Sequence, residues 1–358
     1  MLEIYISDKT LEKIWVESRN SNWGKIISKQ GVVYISEEEP SRLLDKDGVL
    51  WQIEMSGIHL KPSTEYIQKI IDGTESISEK PFGVFILDID PVQALKMQNE
   101  NGVICMSSKR INDDILTEVS PNYKFYEKDE EGDWNEILQG VSNDVLPSNA
   151  VIVIDNYLFA NDGRMQVGTP YEYTDSGGIK NIQSILDCII PRKSSIDYHV
   201  LIVCESDSIK NGLTFKDITT QLNKLKKELK KTRDPGLNIT CEIIAATKGS
   251  QYVSLAHNRR IISNYFIIDL LHKVNAFSDT GKSNCEQCIT INRLYSRGLK
   301  ERSDVPAKSH RIVINNYKKF ISDWISAILN DGRDITDYIF GQNGQEKSII
   351  EIKNRLLV

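Results

Sequence analysis

Apolar residues in the first third of the chain come in short runs, separated by stretches in which they recur every three or four positions. Runs at residues 2–7, 31–35, 82–88 and 102–106 predict strands, and residues 9–16 and 62–72 predict helices. The second of these helices has Ser63 at its start, Tyr66, Ile67, Ile70 and Ile71 along one face, and Gly73 just past its end. After residue 149 the alternation returns more clearly. Residues 150–154 are wholly apolar, the pattern of a strand covered on both faces of a parallel sheet. A helix follows from Gly177-Gly178 to about residue 190, where Pro191 ends it, and then a strand at 199–204. Residues 215–231 place Phe215, Ile218, Leu222, Leu225 and Leu229 on one helical face. Strands at 238–246, 259–264, 266–270 and 310–315, a helix at 317–329 and a last helix around 348–356 complete the pattern. Strands interleaved with helices predict an α/β fold.

Between the two alternating regions lies the charged, turn-prone run Glu127-Lys128-Asp129-Glu130-Glu131-Gly132-Asp133, and Leu146-Pro147-Ser148-Asn149 closes the polar stretch. This predicts an N-terminal α/β domain over 1–125, an acidic linker over 126–148, a second α/β domain over 149–330 and a tail with a helix over 331–358. A chain of 358 residues is long enough for two such cores. Its net charge of −6 excludes a general polyanion binder, which needs a basic surface. No apolar run is long enough to span a bilayer, and the start Met1-Leu2-Glu3-Ile4-Tyr5-Ile6 reads as a strand without a signal peptide's basic flank. Cys204 and Cys241 fall within predicted strands, which suits reduced, buried thiols. The expected location is cytoplasmic.

The segment most suggestive of chemistry is His257-Asn258-Arg259-Arg260-Ile261-Ile262-Ser263-Asn264, spaced as His-x-Arg-x4-Asn. It resembles the His-x-Lys-x4-Asp signature of the phospholipase D superfamily. Together with Val151-Ile152-Val153-Ile154-Asp155-Asn156-Tyr157-Leu158 and the β-α-β-α-β order, it is similar to that superfamily's degenerate branch, which includes the carboxy-terminal domain of MIT-domain proteins. The resemblance covers about residues 148–300 and implies a half-fold with a mixed sheet flanked by helices. It also implies roles: His257 attacks phosphorus, Arg259 grips the phosphoryl oxygens, and Asn264 stands where the family's Asp serves the histidine. An amide can orient an imidazole but cannot stabilise an imidazolium. In a serine protease triad the same exchange of acid for amide costs about 10⁴ in rate. The family's Gly-Ser-x-Asn stretch is replaced by Leu271-His272-Lys273-Val274.

These substitutions point to an interaction or regulatory protein on a catalytically weakened phospholipase D-like domain, with a protein partner and a place in a prokaryotic defence or signalling assembly. The alternative is a metal-independent phosphodiesterase or nuclease acting on nucleic acid or another phosphodiester. With one motif per chain, that activity requires a homodimer that brings two His257 side chains together. Either way, His257, Arg259 and Asn264 are expected to gather near the end of a central strand. A bulge is needed to do so, because Asn264 lies at odd separation from the other two.

Lys224, Lys226, Lys227, Lys230, Lys231 and Arg233 make the end of one helix basic, and Lys227, Lys230 and Lys231 are its candidate anion-binding residues. Asp88 and Asp90 at a strand end suit a Mg²⁺ seat, but read better as an acidic loop capping the helix from Pro91. Cys285-Glu286-Gln287-Cys288 has zinc-ligand spacing without a second pair, and reads as two reduced thiols. Gly177-Gly178 lacks the lysine and the remaining glycines of a phosphate-binding loop. No metal or cofactor is expected.

Overall fold

The computed structural model describes residues 2–28, 32–37, 40–43, 45–111, 122–155, 158, 177–205, 215–246, 259–293, 319, 339–340 and 354–357. The chain is mixed α/β and divides into two compact units, Met1–Pro121 with Arg293–Ile312 and Asn122–Asn292 with Val313–Val358.

The first unit is built on five parallel strands, β1 (Glu3–Ser7), β2 (Val32–Ser36), β3 (His59–Pro62), β4 (Gly83–Leu87) and β5 (Ile104–Ser107), in the order β3-β2-β1-β4-β5. Strand β1 alternates Ile4 and Ile6 with Tyr5, all buried. Tyr5 stacks on Tyr34 and Phe85, with ring centroids 4.7 and 4.6 Å away. That face is covered by Ile67 and Ile70 of α4 (Thr64–Ile71) and Ala94 of α5 (Pro91–Asn101). Leu11 and Ile14 of α1 (Asp8–Glu17) are buried too, as is Trp23 of α2 (Asn22–Ile27) and as are Leu50 and Ile53 of α3 (Val49–Met55). Local signals set several helix ends. The Ser7 hydroxyl accepts from the Thr10 amide, Asp90 accepts from Val92 N–H with Pro91 at the first helical position, and Gly102 ends α5 at φ 61°. Strand β3 went unread in the sequence because it is a four-residue edge ending in Pro62, with one buried position.

The second unit holds an eight-stranded mixed sheet, ordered β13-β9-β8-β7-β10-β11-β12-β6. Its strands are β6 (Asn122–Tyr126), β7 (Ala150–Ile154), β8 (Tyr198–Glu205), β9 (Ile239–Ala246), β10 (Arg260–Ser263), β11 (Phe266–Leu270), β12 (Gln287–Arg293) and β13 (Ile339–Phe340). Strands β7, β8 and β9 are parallel, whereas β10 turns back antiparallel to β7. Every residue of β7 is buried, as its apolar run implies. Among the described residues its α-helices are α6 (Trp134–Leu138), α7 (Gly177–Ile189) and α8 (Phe215–Lys230), with Leu222, Leu225 and Leu229 of α8 buried.

Two expectations are corrected here. Residues 126–148 are not a linker: Tyr126 belongs to β6, which pairs with β12, and Trp134, Ile137, Leu138, Val141 and Leu146 are buried in the second unit. The Trp134 indole donates to Asn181 Oδ1 at 2.7 Å. The acidic residues around them face water, so a surface strand and turn carry a linker's composition. Nor is 331–358 a separate tail. Strand β13 pairs with β9, and the Asn354 side-chain amide, fully buried, donates to the carbonyls of Val151 and His199 at 3.0 and 3.3 Å. Of the expected last helix, the described part is a single 3-10 turn, Arg355–Leu357. The strand expected at 310–315 and most of the helix expected at 317–329 lie outside the described residues.

Arg233 differs from the solvated cation that its neighbours suggest. It is 7% exposed, pairs with Asp187 at 2.7 Å, and donates to the carbonyls of Leu186, Asp187, Leu229 and Ile190. It thereby ties the end of α8 to the end of α7, satisfying carbonyls that helix termini leave unpaired.

Candidate functional site

Strand order in the second sheet reverses at β7, where β8 lies on one side and β10 on the other. Open α/β sheets bind ligands beyond the carboxyl ends of their strands at such a reversal. Asp155 stands at that end of β7, 1% exposed, its carboxylate accepting from the Val274 amide at 2.6 Å and its own N–H donating to Val203 O at 3.0 Å. Arg259 enters β10 at the same edge, and its guanidinium donates to Leu271 O at 3.2 Å. Arg260 pairs with Asp269 of β11. Burial raises the Cys285 thiol, with Lys273 and Arg259 acting in the opposite direction. His257 lies outside the described residues.

Asn264 is elsewhere. Arg260 pairs with Ile154 and Ser263 with Val151, in unbroken antiparallel register, so β10 runs the full length of β7 without the bulge the motif requires. Arg259 and Asn264 flank this strand at opposite ends, about 16 Å apart at the usual rise per residue. Asn264 is fully buried; its Oδ1 accepts from the amides of Asn149 and Ala150 at 3.1 and 3.3 Å, and its Nδ2 donates to Asn149 Oδ1 at 2.9 Å. It closes the start of β7. The expectation that Arg259 and Asn264 gather at one strand end is therefore overturned.

Comparison with protein-family models, with curated proteins and with solved structures returns no match for this chain. The phospholipase D-like assignment thus rests on the motif and strand order alone.

The basic helix divides by environment. Lys227 and Lys230 are exposed, Lys231 pairs with Glu228 at 2.5 Å, and half-buried Lys226 has its pKa lowered by desolvation. Lys224 and Lys227 line a groove of about 800 Å³, together with Lys180 and Asn181 of α7 and with Trp134 and Phe277. Lys230 and Lys231 are not among its lining residues. The Trp134 and Phe277 rings meet edge-on at 5.5 Å. Gly132 lies against the Phe277 and Tyr126 rings, where a Cβ would come within 2.3 and 2.7 Å of them. At the head of α7, a Cβ on Gly178 would approach Leu158 O to 2.5 Å, so this glycine permits close packing.

At the corresponding edge of the first unit, Asp8 is buried and paired with Arg42, Asp88 accepts from the Ser108 hydroxyl, and Asp90 caps α5. Among the described residues no group of three His, Cys, Asp or Glu side chains is placed to hold a metal. Cys285 and Cys288 flank the start of β12 as half-exposed free thiols. No helix among the described residues is long and apolar enough to cross a membrane.

Asp155, Lys273 and the groove were not singled out from sequence. An Asp directly after a wholly apolar strand was the available signal for the first. The groove had none, since Trp134, Asn181 and Phe277 are far apart in the chain.

Proposed function

We propose that the protein is an interaction or regulatory protein whose second unit is a phospholipase D-like domain that has lost catalytic competence. The observation that carries this is the position of Asn264: the residue standing for the family's acid is consumed in the start of β7, a strand length from Arg259. A histidine nucleophile without that partner lacks the group that stabilises its cationic form. What remains of the motif at this corner, the carboxyl edge of β7, is Arg259, whose guanidinium is suited to holding a partner's anionic group. Purified protein incubated with DNA, RNA and a generic phosphodiester, with and without EDTA, is expected to give no hydrolysis. Metal-independent hydrolysis that disappears in His257→Ala would overturn this reading. It would favour the second one, a homodimeric phosphodiesterase, which the same corner supports because Arg259 retains the motif's phosphate-gripping position. In that case activity and dimer content fall together on dilution.

A further inference from the structure

We propose that the outer edge of β6 in the second unit is a docking site for an extended, basic segment of a partner protein, which adds to the sheet as a further strand. The proposal rests on the reading of the chain as an interaction protein, and names the surface and the class of partner. Among the described residues β6 is the last strand of the eight, with β12 on one side and no strand on the other.

The backbone shows what that edge offers. The Leu271 amide donates to Cys288 O at 3.0 Å, so the main-chain groups of Cys288 face β11. Cys288 lies opposite Phe125, and theirs is therefore a pair without mutual hydrogen bonds. The N–H and C=O of Phe125 then point off the sheet, and by strand alternation those of Tyr123 do too. Neither residue is hydrogen-bonded on that side among the described residues. Edges are usually blunted, as β3 is in the first unit: it ends in Pro62 and gives its Leu60 amide to the Glu54 carboxylate at 3.2 Å. The β6 edge has neither device.

Side chains set the kind of strand that fits. Phe125 is 60% exposed and Leu271 53%, and with half-exposed Cys288 between them they make an apolar row on one face that runs out to the edge. An apolar residue opposite Phe125 extends that row. Charge does the rest. The run from Glu127 to Asp133 has five carboxylates and Lys128, and with Glu136, Glu286, Lys124 and Lys282 beside it the surface carries seven carboxylates against three lysines. Of the seven, Glu136 alone is in an ion pair among the described residues, and it holds Lys124. Lysine or arginine at alternate positions of the added strand meets this excess, which also speeds encounter. A second copy of the chain would bring two acidic surfaces together, and a nucleic acid would be repelled.

The probe is the fluorescein-labelled peptide acetyl-Lys-Thr-Lys-Thr-Val-Thr-Lys-amide, in which Val and the lysines share one face. Titrated with the full-length protein, it is expected to bind saturably by fluorescence anisotropy. Affinity falls about tenfold when Glu127→Lys and Glu131→Lys are combined, both exposed and unpaired, whereas the exposed change Glu17→Lys in the first unit leaves it unchanged. Methylating the peptide's Val nitrogen, which alters nothing in the protein, removes the backbone donor and abolishes binding. Hydrogen exchange at single-residue resolution locates the contact. The Phe125 and Tyr123 amides exchange fast in the free protein and at least about tenfold slower with peptide, while the Lys124 amide, already bonded to β12, changes little. Binding that survives N-methylation, equal binding of the peptide with Glu in place of Lys, or a Phe125 amide left unprotected overturns the proposal. Protection of Phe125 that grows with protein concentration in the absence of peptide assigns the edge to a second copy instead, and overturns it as well. No phosphodiester enters this assay, so hydrolysis found in the earlier one and failure of the peptide to bind are read separately.

Discussion

At the scale of single residues, the question is what a motif means once its members are seen in place. Asn264 occupies the position of a catalytic acid by spacing, yet its amide is used as both acceptor and donor at the start of β7. A carboxylate there could accept from both amides but could not donate to Asn149, and it would sit fully buried as a charge. We therefore expect Asn264→Asp, which introduces the acid of the signature that the motif resembles, to lower stability by about 2 kcal/mol or more in a urea titration and to confer no phosphodiesterase activity. Hydrolysis appearing in this variant would mean that position 264 reaches His257 after all. Sequence spacing could not reveal the difference. Both roles ask for a short polar side chain after an apolar strand, and only the strand's length and register separate them.

Elements were far more legible than their partners. The apolar run of β7, the amphipathic stripe of α8 and the cap of α5 are each written into a few consecutive residues, and each forms where expected. Pieces whose stability comes from elsewhere went unread. Strand β6 is an edge whose pairing partner, β12, begins more than 150 residues later, and α6 spans five residues, too few to show a period. Helix ends show the same division. Arg233 looked like one more cation on a basic helix, but it bonds four carbonyls and a carboxylate across α7 and α8. Arg233→Ala should cost about 3 kcal/mol, as expected when one partner of a buried, charged network is removed. Lys230→Ala, on the exposed face one turn away, should cost less than about 0.5 kcal/mol. Equal effects in chemical denaturation would show that the burial of Arg233 adds nothing.

For the whole molecule, the corrected division places the first boundary before β6, not after it. The acidic stretch is anchored by buried Trp134, Ile137 and Leu138, so proteases should spare 126–148 in the native protein despite its charge and turn residues. Mass spectrometry of an early digest checks this, and first cuts inside that stretch would restore the linker. The turn Arg355–Leu357 and the residue before it bear on how the protein comes into being. Asn354 bonds Val151 across 203 residues and His199 across 155. Closing loops of that length is entropically costly and slow compared with local pairing. During synthesis, the first unit's parallel sheet, complete by residue 107, is available for folding while much of the second is still untranslated. The central strands of the second unit receive this contact only once residue 354 has been made and has cleared the ribosome. Until then that sheet is left with an unfilled place beside β7 and β8, and a nascent chain stalled before residue 354 exposes it to whatever the cell offers.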